Sequence, residues 1–285
     1  VPYQEQGYIS EVIVVDGHST DGTREIIRQY PVRLLLEEGT ERYDNSVIRA
    51  HLSKYNALNQ GWRASTADLV MFLDSDAYLG QGFFPKAVEF FVTPSLGVLG
   101  CWNKAWVTTR VTSTIGELWR FHGERIRAFQ ANSASPLERF YQFAVGFGKR
   151  GIPTSGPCYI VRRSCLELLG GHDVQGDVGI CLRLQERGFT SWWWIEAPVY
   201  HRPKESLRAL ARQRYNWGKD GAYRPVGGLR FYFILLARPI GAMGLGLLLA
   251  VRFRNPLHLI VLPLAEGSHL AGYVAGCWAR ARGKT

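Results

Sequence analysis

Apolar and polar positions along the chain fall into short runs of two different periods. Residues 11–15 (Glu-Val-Ile-Val-Val) form a β-branched run of the buried-strand kind that stops at Asp16. Residues 23–30 then carry helical spacing, with Ser19, Thr20 and Asp21 supplying cap chemistry ahead of them. Residues 32–36 predict a second strand, 51–64 a helix, and 68–73 a third strand ending at Asp74. A helix over 84–92 and a strand over 97–101 follow. Repeated strand–helix–strand units predict an α/β fold, a mainly parallel, Rossmann-like sheet flanked by helices on both faces. Ligands of such sheets bind beyond the carboxyl ends of the strands. Asp16 and Asp74 both stand at such ends.

The pattern then changes. Residues 112–150 read as amphipathic, with Ile115, Leu118, Trp119, Ile126 and Phe129 on one helix face. Loops are predicted over 132–136 and 151–156, and strands over 158–161 and 192–199, the latter ending near His201. Strand side chains alternate faces, so at least one of Trp192, Trp193 and Trp194 belongs to the core. Two long apolar stretches close the chain, 231–251 with one charge, Arg238, and 257–277 with one charge, Glu266. Each would span about 31 Å as a helix, close to the roughly 30 Å of a hydrocarbon core. A hairpin pairing Arg238 with Glu266 lowers the cost of burying either charge, and tilted interfacial helices are the alternative. Basic residues crowd 201–230 and follow Cys277, against Arg252 and Arg254 in the connection. That asymmetry favours a spanning hairpin with the preceding domain and the C-terminus on the cytoplasmic face.

Composition narrows the function classes. Apolar residues make up 46% of the 285 and charged residues 20%, which excludes a disordered chain. The formal charge of +10, with nine Trp and thirteen Tyr, fits nucleic acid, an anionic membrane or a phosphate-bearing sugar substrate. Because the positive residues gather beside the apolar tail, lipid headgroups explain them better, and nucleic acid is not expected as a partner. The five cysteines are scattered without a CxxC pair, which points to a reducing compartment and to no zinc or disulfide framework. The chain opens on Val1 without a signal-peptide pattern, so an upstream segment is expected.

Two polar turns carry candidate chemistry. Asp74-Ser75-Asp76 directly follows Val70-Met71-Phe72-Leu73, and two carboxylates at a strand mouth make a hard-oxygen pocket for Mg²⁺ or Mn²⁺ bridging a diphosphate. The same pattern also serves as an ordinary solvated turn. The run from Asp16 to Thr23, DGHSTDGT, offers backbone N–H groups and carboxylates to a nucleoside. Capping of the next helix explains Ser19, Thr20 and Asp21, but not Asp16.

EVIVVDGHSTDGT followed by KYNALNQGWRASTADLVMFLDSDA resembles the family 2 inverting glycosyltransferases of the GT-A fold. The resemblance implies a nucleotide-diphosphate sugar donor, a divalent metal, and Asp16 against the nucleoside. Lys54 and Asn59 then become nucleotide contacts, Asp74 a donor and metal contact, and Asp76 a metal ligand. GPCYIVRRSCLELLGGHD resembles the glycine loop and the helix after it, and GDVGICLRLQERG resembles the segment carrying the catalytic base, which makes Asp177 that base. VYHRPKESL puts His201 where the fold often has a histidine near metal and diphosphate, and RQRYNWGKDG makes Gln213, Arg214 and Trp217 substrate contacts at the acceptor end. Domain limits follow: a catalytic domain over 1–223 and a membrane-associated helical hairpin over 224–285. A membrane-bound acceptor, lipid-linked or glycan, follows from the tail.

Three features depart from the family. Its opening strand, of the type V-x-V-V-I-P-x-Y-N-E, is absent or truncated to a remnant over residues 1–5; Gly176 replaces the usual Glu before Asp177; and Asn216 stands where processive enzymes carry Arg. A catalytically degenerate member that binds nucleotide sugars or scaffolds a membrane assembly is therefore the alternative, and intact Asp74, Asp76 and Asp177 argue against it.

Overall fold

The computed structural model describes residues 2–39, 46–131, 156–173, 176–222 and 229–282. The chain divides into two compact units, Val1–Trp102 with Ile152–Val199, and Asn103–Gly151 with Tyr200–Thr285. The apolar hairpin expected to stand apart over 224–285 belongs to the second unit together with earlier segments. The loops predicted over 132–136 and 151–155, and the Phe129 side chain, lie outside the described residues.

In the first unit a short helix α1 (Pro2–Glu5) precedes strand β1 (Ile13–Asp16) and helix α2 (Thr23–Ile27). Asp21 Oδ1 accepts the Thr23 N–H at 3.2 Å and its hydroxyl at 2.6 Å, while Gly22 takes the left-handed φ of 84° that lets the chain turn into α2. Strand β2 (Arg33–Leu36) pairs parallel with β1, Asp16 opposite Leu36. Helix α3 (Ser46–Ala64) leads to β3 (Leu69–Leu73) and the short β4 (Ala77–Leu79). Helix α4 (Phe83–Glu89) runs into a 3-10 turn, Phe90–Val92, before β5 (Leu96–Ala105). Beyond helix α5 (Arg110–Gln130) come β6 (Cys158–Arg162), α6 (Arg163–Leu169), α7 (Gly176–Gln185) and β7 (Thr190–His201).

Five strands form one sheet in the order β3-β6-β5-β7-β4, and β1 and β2 form a separate pair. The α/β character and flanking helices agree with the sequence. The strand directions differ from a mainly parallel sheet: β6 pairs antiparallel with both β3 and β5, so the sheet is mixed. Hydrophobic patterning is blind to direction, because a strand buried on both faces reads the same whichever way it runs.

Alternation along β6 divides the core in two. Ile160, level with Met71 and Leu99, packs with Phe83, Phe84 and Trp194 on the α4 side. Tyr159 and Val161, level with Phe72, Val70 and Val98, pack with Trp62, Leu166, Ile180 and Leu184 of α3, α6 and α7. Trp193 and Trp194 are both buried, whereas Trp192 is exposed. The five cysteines are free thiols.

The second unit adds α8 (Leu207–Gly221), α9 (Leu229–Phe253) and α10 (His258–Ala281) to α5. Ile115, Leu210, Val261 and Ala265 form one core, and Phe121, Ala242, Leu249 and Leu262 another. Arg238 and Glu266 meet across the hairpin at 2.7 Å, the pairing that their mid-stretch positions suggested. Among the described residues, α10 is the one helix long and apolar enough to cross a membrane. It lies against α8 through bare backbone: a Cβ on Gly218 would overlap the His269 carbonyl, and one on Gly272 the Tyr215 carbonyl.

Such contacts leave no room for a side chain. Gly218→Val should destabilise the protein by about 1–3 kcal/mol, the usual cost of overpacking. Gly241, which meets nothing within 4 Å, is the control. Gly241→Ala should hold or raise the Tm in the same thermal denaturation experiment, since helix propensity adds up to about 1 kcal/mol of stability.

Candidate active site

The first unit gathers Asp16, Lys54, Asn59, Asp74, Asp76 and Asp177. The second holds His201, Gln213, Arg214 and Trp217.

Asp16 closes β1 and is 5% exposed. Burial alone would raise its pKa; hydrogen bonds from the Ser19 side chain and backbone and the nearby Arg24 outweigh it and hold the carboxyl below its ordinary range. The Ser19 N–H donates to Oδ2 at 2.9 Å, and Arg24 Nε lies 4.0 Å from the same oxygen. Behind this turn stands Glu37, a buried acid that the sequence reading passed over. Its Oε1 accepts from Asn56 Nδ2 at 3.1 Å, its N–H donates to the Asp16 carbonyl at 2.9 Å, and its carbonyl meets His18 Nε2 at 2.7 Å. Its position immediately after β2 was the available signal, since Asp16 ends β1 and Asp74 follows β3.

Asp74 follows β3 as predicted. Its N–H donates to the Pro157 carbonyl at 2.7 Å, and Lys54 Nζ from α3 donates to Oδ1 at 3.0 Å. Both side chains remain substantially open to solvent, and Asp76 is exposed. Among the described residues no three His, Cys, Asp or Glu side chains converge to cage a metal. The donor set Asp74–Asp76 instead suits a hard cation held by one or two carboxylates and completed by substrate phosphates and water.

Asn59 faces the backbone of the segment before α7. Its Nδ2 donates to the His172 carbonyl at 2.9 Å, and its Oδ1 accepts the His172 N–H at 2.8 Å and Trp62 Nε1–H at 3.0 Å. Helix α6 ends in a left-handed turn at Gly170 and Gly171, with the Gly171 N–H donating to the Leu166 carbonyl at 2.9 Å. A Cβ on Gly171 would overlap Asn59 Oδ1, so glycine is required there. From the other side Arg183 donates to the Leu169 carbonyl at 3.2 Å and the Gly171 carbonyl at 2.7 Å, and it pairs with Asp173 at 3.3 Å.

Asp177 lies in the first turn of α7. Beneath it is a buried polar pair, Tyr159 Oη and His172 Nε2, 2.6 Å apart. Burial first, then the nearby Asp177, Tyr55 and Asp74, keeps the Tyr159 phenol protonated. Burial, then Arg183 and Lys54, pushes His172 down to about 3, so the pair is neutral. Asp74 and Asp177 therefore both lie within electrostatic reach of one phenol.

In the second unit His201 ends β7 with its ring stacked on Trp119 at 5.6 Å, and its carbonyl accepts the Trp106 N–H at 2.9 Å. Gln213 is half-buried on α8, and Trp217 is half-exposed under the Arg214 guanidinium at 5.1 Å. Burial lowers the Arg214 pKa, Glu266 raises it and Arg238 lowers it.

Known proteins resemble the chain in the same terms. The profile of "Glycosyl transferase family 2" matches residues 4–145, and the chain belongs to this family. Beta-monoglucosyldiacylglycerol synthase of Synechocystis is 25% identical over 225 residues, covering 75% of this chain and 42% of that protein. An uncharacterized glycosyltransferase of Nostoc is 31% identical over 83 residues, covering 29% of this chain and 24% of that protein. The chain thus spans less than half the length of these curated relatives. Glucosyl-3-phosphoglycerate synthase from Mycobacterium tuberculosis, solved with Mn²⁺, UDP and glucosyl-3-phosphoglycerate, is 19% identical with a TM-score of 0.42, over 74% of this chain and 67% of that one. S. aureus TarS with UDP is 15% identical with a TM-score of 0.44, over 96% and 82%. Structural likeness at this level assigns no residue a role.

The buried imidazoles make stability depend on pH. His172 titrates near 3, and burial, with Arg214 beside one and Arg238 the next influence on the other, brings His122 and His269 to about 4, against an ordinary 6.5. The unfolded chain therefore binds more protons below pH 6.5, and stability present above that value falls as pH drops toward 4. Of the lowered carboxyls, Asp16 and Asp21 act only below their ordinary 3.8, outside this window, and Glu205, held down by Arg202 and Thr108, acts only below its ordinary 4.5 and in the same direction. The Tm should fall between pH 6.5 and 4. His172→Phe should lower it at pH 7.5, by orphaning the Tyr159 hydroxyl, yet flatten its decline with acid.

Proposed function

We propose that the chain is an inverting glycosyltransferase that moves a sugar from a nucleotide-diphosphate donor to an acceptor at a membrane surface. One observation carries the reading: Lys54 ties Asp74 at 3.0 Å, and its chain neighbour Tyr55 abuts Gly176, the residue before Asp177. A donor-side carboxylate, a cation suited to phosphate and a second carboxylate thus border one site.

In this reading Asp16 receives the nucleoside beside β1, and Lys54 turns from Asp74 to the diphosphate when donor enters. Asp74 and Asp76 would hold a Mg²⁺ or Mn²⁺, whose charge would offset that of the departing nucleotide diphosphate. Asp177 accepts the acceptor hydroxyl proton as its oxygen bonds to the anomeric carbon and the diphosphate leaves from the opposite face, which inverts the centre. His201, Gln213, Arg214 and Trp217 are candidates for phosphate and acceptor contacts within the second unit.

A lipid acceptor is supported by the relative named for a glucosyl lipid and by the surface of α9. Leu236, Ile240, Met243, Leu247 and Val251 form one exposed apolar stripe, Ile240 reaching 74% and Val251 72% exposure. Arg252 and Arg254 follow it, and Arg280 and Arg282 end α10. Helix α8, with Arg208, Arg212, Arg214 and Lys219, packs along α10, and carrying those charges into hydrocarbon is far costlier than leaving them at headgroup level. An interfacial hairpin on the cytoplasmic leaflet therefore fits better than a spanning one.

Turnover across a panel of UDP- and GDP-sugars, with and without Mn²⁺, tests the reaction. Asp177→Asn should lower kcat by about 10²–10⁴, and Asp76→Ala should abolish metal-dependent turnover; wild-type rates in both would overturn the reading. Ile240→Glu with Leu247→Glu should release the protein from vesicles containing anionic lipid without changing its melting behaviour.

A further inference from the structure

The sequence departs from its family where Gly176 precedes Asp177, and the structure supplies a reason in another part of the chain. Gly176 begins α7 at a left-handed φ of 65°. A Cβ built on it would overlap the hydroxyl and Cζ of Tyr55, which reaches over from α3 and is 9% exposed. The space of a side chain at 176 is thus filled by the phenol of residue 55.

Tyr55 has a firm backing. Its ring stacks on His172, centroids 5.8 Å apart at 20°. Asn59 holds the His172 backbone through both polar atoms, Tyr159 holds the ring at 2.6 Å, and Phe72 meets the ring edge-on at 4.7 Å. One face of the phenol therefore rests on a fixed ring while its hydroxyl end abuts the peptide next to Asp177.

We propose that Tyr55 is the positioning residue of Asp177: wedged between the His172 ring and Gly176, it sets the first turn of α7 and so aims the carboxylate. Residues 55 and 176 form a volume-matched pair, in which a large group on α3 requires glycine at the start of α7. The inference deepens the assignment of Asp177 as the base and rests on it. Tyr55 neither takes a proton nor touches donor.

Tyr55→Phe is the first test, using the full chain and the best donor of the nucleotide-sugar panel. A misaimed carboxylate costs rate rather than donor affinity, so kcat should fall about tenfold or more with donor KM held within about twofold. An unchanged kcat, or KM rising in step with the loss, overturns the proposal. Gly176→Ala approaches from the other side and should give the same kcat–KM split with a lowered Tm. Placed on Tyr55→Ala, Gly176→Ala should cost clearly less Tm than it does in the wild type; equal costs in the two backgrounds overturn the pairing even where Tyr55→Phe folds poorly. Asp177→Asn separates the two layers. Full transfer by Asp177→Asn defeats the base assignment, whereas inactive Asp177→Asn beside fully active Tyr55→Phe defeats the positioning role alone.

Discussion

A primary amide that meets both the N–H and the C=O of one residue acts as a strand partner one residue long, and Asn59 does this to His172. The first unit depends on that clamp. It joins α3 to the left-handed turn after α6, and through that turn it fixes where α7 starts. The imidazole that follows the clamped backbone is then held on three sides by Tyr159, Phe72 and Tyr55. Each partner comes from a different element, so the carboxylate at the head of α7 inherits its place from β3, β6 and α3 together.

That arrangement is costly in polar groups and keeps them uncharged. Two hydroxyls and an imidazole lie beside the candidate site, where, on the proposed reading, a buried charge would compete with substrate phosphates. Burial drives the ring toward its neutral form and holds the phenol protonated, so the layer supplies shape and hydrogen bonds without a field of its own.

Much of this was legible in the sequence, for particular reasons. The apolar runs ending at Asp16 and Asp74 marked their strands to within a residue or two, because each is short, unbroken and closed by a polar turn. Arg238 and Glu266 announced each other, since a lone charge in an apolar helix needs a partner. Strand direction was not legible, and neither was β4, where Ala77–Leu79 is too short to show a period. The layer beneath the site escaped entirely. The resemblance makes Asn59 a nucleotide contact, yet both polar atoms of its amide go to the backbone of His172, 113 residues away, which nothing local marks. Gly176 alone reads as a loss from the family pattern, and Tyr55 carries no signal of its own in the sequence. Only their juxtaposition makes each intelligible.

The backbone contact between α8 and α10 bears on how the second unit would respond to a surface. Helices that touch through side chains can slide, because rotamers absorb small shifts. Gly218 and Gly272 remove that slack, leaving main chain against main chain. Force or tilt applied to the apolar helix is therefore delivered undamped to the face bearing Gln213, Arg214 and Trp217. In a protein seated on lipid, the depth and angle of the anchor become part of the geometry of those side chains. Membrane curvature and headgroup packing would then tune them directly, with no separate signalling element required.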